Sequence, residues 1–82
     1  MVTRTSQIPL AELVAGEQAT ILSFQNMREV AGRLTSLGFT PSVRVMMMQN
    51  QGRGPLLVNV RGTHVALGRR EAQKIIVQRM SE

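Results

Sequence analysis

The sequence predicts a mainly β domain: a small barrel with one helix of about three turns and one or two single helical turns. Three observations carry that prediction. Apolar residues alternate with neighbours of the other face in short runs, among them Val43-Val45-Met47, Leu56-Val58-Val60 and Val65-Leu67. Such period-2 alternation marks half-buried strands. Turn signals separate these runs closely, as in small barrels and sandwiches. Only one stretch, opened by Asn26 and stopped by Gly38, carries a helical repeat of useful length.

Taken in order, residues 1–7 read as a loose arm, 8–78 as one folded domain and 79–82 as a tail. Ile8 to Val14 places Leu10, Leu13 and Val14 at helical spacing, with Pro9 where a first-turn proline is tolerated. A single helical turn closed by Gly16 is expected there. Ala19 to Phe24 is a strand with Ile21, Leu22 and Phe24 as its large apolar residues. Asn26 can cap the helix that follows, and Glu29 stands three residues later as in a capping box. Val30, Leu34 and Leu37 then share one face. Gly38 is the stop, where a residue tolerant of positive φ is needed. Gly32, inside the helix, costs about 1 kcal/mol against Ala, which points to a close backbone approach.

Val43 to Gln49 is the next strand, with Met47 inward and Met46 and Met48 outward. Asn50 to Pro55, with two Gly and one Pro, reads as a hairpin loop. Leu56 to Arg61 is a strand, Arg61-Gly62 a tight turn, and Thr63 to Leu67 the partner strand with His64 and Ala66 on its outer side. Arg70 to Lys74 reads as one helical turn packing Ala72 inward, and Ile75 to Val77 as the strand that closes the sheet. Closure would remove both sticky edges and let aliphatic side chains fill the inside.

Composition narrows the function classes. A chain of 82 residues has room for one core, and it buries only about 60% of the surface its unfolded form exposes. The aromatics are Phe24 and Phe39 alone, so the core must be aliphatic. There is no Cys, which excludes disulfides, thiolate metal sites and Cys catalysis. No run of about 18 apolar residues is present, so no helix is expected to span a membrane. The polar start from Met1 to Gln7 lacks the apolar run of a signal peptide, and a cytoplasmic location is expected. Nine Arg and one Lys against five acidic residues give a net charge of +5. That balance either serves solubility or favours an acidic or phosphate-rich partner.

The chemistry-bearing residues are few. Gly52-Arg53-Gly54 lacks the Gly-Lys-Ser/Thr ending of a phosphate loop, and Pro55 removes an amide donor. His64 is the one histidine, and the carboxylates Glu12, Glu17, Glu29, Glu71 and Glu82 form no pair at useful spacing. A metal site wants several such ligands together, so neither metal nor cofactor residues are assigned. No nucleophile with its base is recognisable, and no enzyme activity is expected. Outward Met46 and Met48 beside Arg44 read either as packing or as an apolar patch with a basic rim that contacts a partner. Their thioethers would suit copper(I), not ferrous iron. Arg44, Arg53, Arg61, Arg69 and Arg70 fall in or beside the strand-rich half. With Met46 and Met48 they form the candidate partner-binding set, since a guanidinium grips carboxylates and phosphates with two parallel bonds.

The order of elements resembles a known family. Leu10-x-x-Leu13-x-x-Gly16, Ala19-x-Ile21, Arg33-Leu34-x-x-Leu37-Gly38-Phe39-x-Pro41 and Val43-x-Val45 are similar to the first half of the FeoA core domain. Gly54-Pro55-Leu56-x-Val58-x-Val60-x-Gly62-x-x-Val65-Ala66-Leu67 and Ala72-x-x-Ile75-x-Val77 are similar to its second half. The resemblance implies an SH3-like barrel acting as a non-enzymatic regulator of bacterial ferrous iron uptake. Its implied partner is the cytosolic, GTPase-containing part of a FeoB-like membrane transporter, which would hold it peripherally at the inner membrane. The family also carries an association with transition metal ions. The alternatives are a basic barrel that binds nucleic acid, which the lack of stacking aromatics argues against, and a standalone repressor-type interaction domain. Two positions depart from the family pattern: Ser42 stands where Gly is usual, so that loop is expected to differ in shape, and Gly68 replaces a bulkier residue.

Overall fold

The chain forms six strands, most of them set by alternation between inward aliphatic and outward side chains. In chain order they are β1 (Gln7–Pro9), β2 (Gln18–Phe24), β3 (Arg44–Gln49), β4 (Leu56–Val60), β5 (Thr63–Leu67) and β6 (Ile75–Arg79). A 3₁₀ turn, Leu10–Glu12, follows β1; α1 (Arg28–Ser36) follows β2, and α2 (Arg69–Gln73) precedes β6. The structure is a computed structural model that describes residues 7–25 and 28–80, without the side chains of residues 28–31. The strands form one antiparallel sheet in the order β1-β6-β2-β3-β4-β5.

The core is aliphatic, as the composition requires. Val45 and Met47 of β3, Leu56, Val58 and Val60 of β4, and Ile75 and Val77 of β6 are all buried. Ala19 and Ile21 of β2, Val65 and Leu67 of β5, Leu10 and Ala11 of the 3₁₀ turn, Leu13 just after it, Leu34 from α1, Phe39 beyond α1 and Ala72 from α2 join them in the core. One buried aromatic and many branched aliphatics fill a space that a larger barrel would give to water or ligand.

The helix ends where Gly38 stops it. Gly38 has φ +102, its N–H donates to the Thr35 carbonyl at 3.0 Å, and Phe39 N–H donates to the Leu34 carbonyl at 2.9 Å. This is a Schellman cap, and Leu34 and Phe39 supply its usual apolar contact.

Several expectations need correcting. Ile8 to Val14 is not one helical turn: Ile8 pairs with Val77 of β6, and the turn starts only after Pro9. Val14 is exposed, because its N–H is drawn to Glu17 Oε1 at 2.9 Å and its side chain turns outward. Leu37 is 38% exposed, since the helix ends at Ser36 and Leu37 lies in the cap. A Cβ on Gly32 would meet nothing within 4 Å, so no backbone crowds that position. Ser42 adopts φ +77, so this loop takes the left-handed turn with a serine in it. Among the described residues the expected closure of the sheet is not seen, because β1 and β5 lie at its two ends and do not pair with one another. The Asn26 cap and the Glu29 and Val30 side chains lie outside the described residues. β1 begins at Gln7 and β6 runs to Arg79, so strand pairing reaches into both stretches read as ends.

Candidate functional site

The outer face of the sheet is built by the residues that alternation turns away from the core. On β3 these are Arg44, Met46 and Met48, while Val45 and Met47 point in. The register lays Gln18, Met46, Asn59 and His64 across four strands as one rung. Met46 is half-buried and lines a shallow groove of about 220 Å³ with Gln18, Arg44, Val45 and Asn59. A second groove of about 480 Å³ adjoins it, lined by Gly16, Glu17, Gln18, Arg44 and Met80. Arg44 and Gln18 belong to both.

A β-bulge shapes the far end of β3. Pairing passes from Met47–Val58 to Gln49–Leu57, which leaves Met48 without an opposed residue and 39% exposed. Met46 and Met48 therefore give the face its soft apolar content, and Arg44 its charge.

The basic candidates form two groups. Val45 pairs with Val60, so Arg44 lies opposite the turn residue Arg61 at one end of β4. Arg53 sits in the β3–β4 loop at the other end, where Arg69 and Arg70 also follow β5. The two ends are roughly 15 Å apart at about 3.4 Å per strand residue. Arg53, Arg61 and Arg70 are exposed, whereas Arg69 is half-buried and its Nη2 donates to Asn50 Oδ1 at 2.8 Å.

Two polar links were not signalled as sites. Asn50 Nδ2 donates to the carbonyls of Ala11 at 2.9 Å and Leu13 at 2.8 Å, and its Oδ1 accepts the Gly52 N–H at 3.0 Å. The Asn-x-Gly spacing could have disclosed the last bond, a local turn of the Asx kind, but not the first two. Glu17 is held by the Val14 N–H and by Arg79, whose Nε lies 3.2 Å from Oε2. The Val14 N–H is the main cause of a carboxyl pKa below its ordinary value, opposed in part by burial and helped by Arg79.

Among the described residues no three of His, Cys, Asp and Glu converge on a point that would hold a metal ion. His64 stands exposed and alone of its kind on β5. No helix of the described residues is long and apolar enough to cross a membrane.

The element order has a counterpart among known proteins. The model of the FeoA domain matches residues 8–79. The chain belongs to the FeoA domain family. A candidate Fe(2+) transport protein A of Methanocaldococcus jannaschii is 30% identical over 70 residues, spanning 85% of this chain and 84% of that protein. The FeoA of Stenotrophomonas maltophilia, solved with zinc and described as a prokaryotic SH3 domain protein, superposes with a TM-score of 0.74 at 34% identity, covering 92% of this chain and 89% of that one. The FeoA of Chlorobium tepidum superposes with a TM-score of 0.83 at 28% identity, covering 90% and 71%. The SH3-like barrel read from the sequence is thus the fold of this FeoA domain. Five of its six strands and its aliphatic core follow the pattern read from the sequence; β1 is the strand that the reading lacked.

Proposed function

We propose that this FeoA domain is a small accessory protein of ferrous iron uptake that works by contact. Its partner is the cytosolic, GTPase-bearing part of a FeoB-like transporter, at the cytoplasmic side of the membrane. Family membership over residues 8–79 supports the iron-transport role. The observation that carries the contact role is the groove at Arg44 and Met46, a soft apolar floor with a basic rim. Met adapts its shape to a partner, and guanidinium groups select acidic ones. Arg61 and Met48 extend that face, while Arg53, Arg69 and Arg70 form a second basic group at the other end of β4. Iron in this reading is cargo of the transporter; among the described residues no three His, Cys, Asp or Glu side chains gather as a resident metal centre would need.

The nucleic-acid reading is not favoured. Phe24 and Phe39 are both committed to the core, so no aromatic platform remains for base stacking.

The test is co-purification of the full chain with the cytosolic domain of a FeoB-like transporter, joined to ferrous iron uptake in a deletion strain. Capture of that domain and slowed uptake, restored by the wild-type gene, are expected. Absence of capture together with normal uptake would overturn the proposal.

A further inference from the structure

The sheet ends on two strands that are guarded differently. β1 is three residues long and ends in Pro9. Short edges bearing proline resist added strands. Among the described residues β5 pairs with β4 alone, and Thr63–Leu67 holds no Pro and no Lys, Arg, Asp or Glu. Its outward residues His64 and Ala66 are exposed.

The preceding turn fixes which backbone groups face outward. Arg61 has φ +53 and Gly62 φ +82, the two positive values of a two-residue type I′ turn. Such a turn makes Val60–Thr63 a hydrogen-bonded pair, so Val58–Val65 and Leu56–Leu67 are bonded in their turn. The N–H and C=O groups of His64 and Ala66 then point away from β4. Among the described residues, no backbone hydrogen bond outside the strand ladders reaches residues 63–67.

Charge decides what would cover this edge. Arg61 stands just before β5, and Arg69 and Arg70 just after it. A second copy pairing antiparallel about Val65 would set Arg61 of each copy against Arg69 of the other, with like charges meeting at both ends. An extended segment with acidic residues at its two ends meets complementary charge instead. We infer that the β5 edge is a strand-addition site for an extended acidic-flanked peptide segment supplied by another protein. The inference deepens the contact role proposed above and rests on it only in taking the partner to be a protein.

The probe is an acetylated peptide Glu-Glu-Thr-Val-Thr-Val-Thr-Glu-Glu, titrated into the ¹⁵N-labelled full chain. The His64 and Ala66 amides are expected to shift, and their hydrogen exchange to slow about tenfold at saturation. The same peptide with Lys at its ends is expected to bind about tenfold more weakly. Ala66→Pro removes one outward donor and no ladder bond, so it abolishes binding while the remaining amides keep their positions. The pair Arg61→Glu with Arg70→Glu reverses the preference to the Lys-flanked peptide, whatever the fate of the proline variant.

Four results would overturn the inference. They are shifts confined to the Arg44–Met46 groove, equal binding of both peptides, concentration-dependent sedimentation with His64 and Ala66 already protected, and protection in the monomer that vanishes when residues 1–6 are removed. The last two would assign the edge to a second copy or to the chain's own start. A transporter domain still captured by Ala66→Pro would defeat the edge as its docking site and leave the proposed function standing. Peptide binding without capture of that domain would do the reverse.

Discussion

Arg69 donates from Nη2 to Asn50 Oδ1 at 2.8 Å, joining the first residue of α2 to the residue that leaves β3. Asn50 is the hub of this link, because its amide also holds the Ala11 and Leu13 carbonyls. One side chain thus ties the 3₁₀ turn, the β3–β4 loop and α2 together. Asn50→Ala leaves two part-buried carbonyls without this donor and should cost about 2–3 kcal/mol. Arg69→Ala removes one bond of the hub and should cost about 1 kcal/mol. Thermal unfolding would show the difference, with the Asn50 variant lowered on the order of 10–20 °C. Equal, small shifts in both variants would mean that the hub does not hold these elements together.

Three backbone positions give stabilities of opposite sign. Gly32 lies in an open stretch of α1, so Gly32→Ala should stabilise by about 0.5–1 kcal/mol. Ser42 occupies φ +77, where a Cβ is strained, and Ser42→Gly should also stabilise by about 0.5–1 kcal/mol. Its N–H donates to the Ile21 carbonyl at 2.8 Å, a bond the change leaves in place. Gly38 is the reverse case: at φ +102, with Val60 Cγ2 3.5 Å from where a Cβ would stand, Gly38→Ala should destabilise by about 1–2 kcal/mol. Urea midpoints of the three variants check the signs directly.

Glu17 makes stability depend on pH in a known direction. Its folded carboxyl pKa lies below the ordinary 4.5, chiefly through the Val14 N–H. The ionised form is favoured by folding, so its contribution is present above the unfolded pKa. It is lost as pH falls through the lower folded value. Glu17→Gln should therefore flatten the fall in melting temperature on acidification below about pH 4.5 and leave the slope at pH 6–8 unchanged. An identical acid slope in the variant would remove Glu17 as a cause.

How much of this was legible depends on the range of the signal. β3, β4 and β5 were readable because alternation is written locally, and Arg61-Gly62 because a tight turn needs positive φ. β1 was not: three residues hold no alternation, and its partner Val77 lies far along the chain from Ile8. The bulges at Leu22 and Met48 are set by the opposing strand and leave no mark in their own segment. Arg44, Met46 and Met48 were readable as an outward set, since Met47 between them is buried. The division of the arginines between the two ends of β4, and the capture of Arg69 by Asn50, follow only from the register. The Glu17–Arg79 pair spans 62 residues and has no local sign.

The groove at Arg44 and Met46 separates contact from folding. Met46 is half-buried on the outer face, so Met46→Glu puts a carboxylate beside Arg44 and keeps the core intact. Its neighbour Met47 is fully buried, and Met47→Glu should unfold the domain by placing an unpaired charge in an aliphatic core. Binding to the cytosolic domain of a FeoB-like transporter should weaken about tenfold or more in Met46→Glu, as for the centre of an interface. Arg44→Glu should act mainly on the association rate, with an effect that shrinks as salt rises. Biolayer interferometry at two salt concentrations, with amide spectra of each variant to confirm its fold, measures all three. Unchanged affinity in Met46→Glu and Arg44→Glu, both folded, would move the contact off this face.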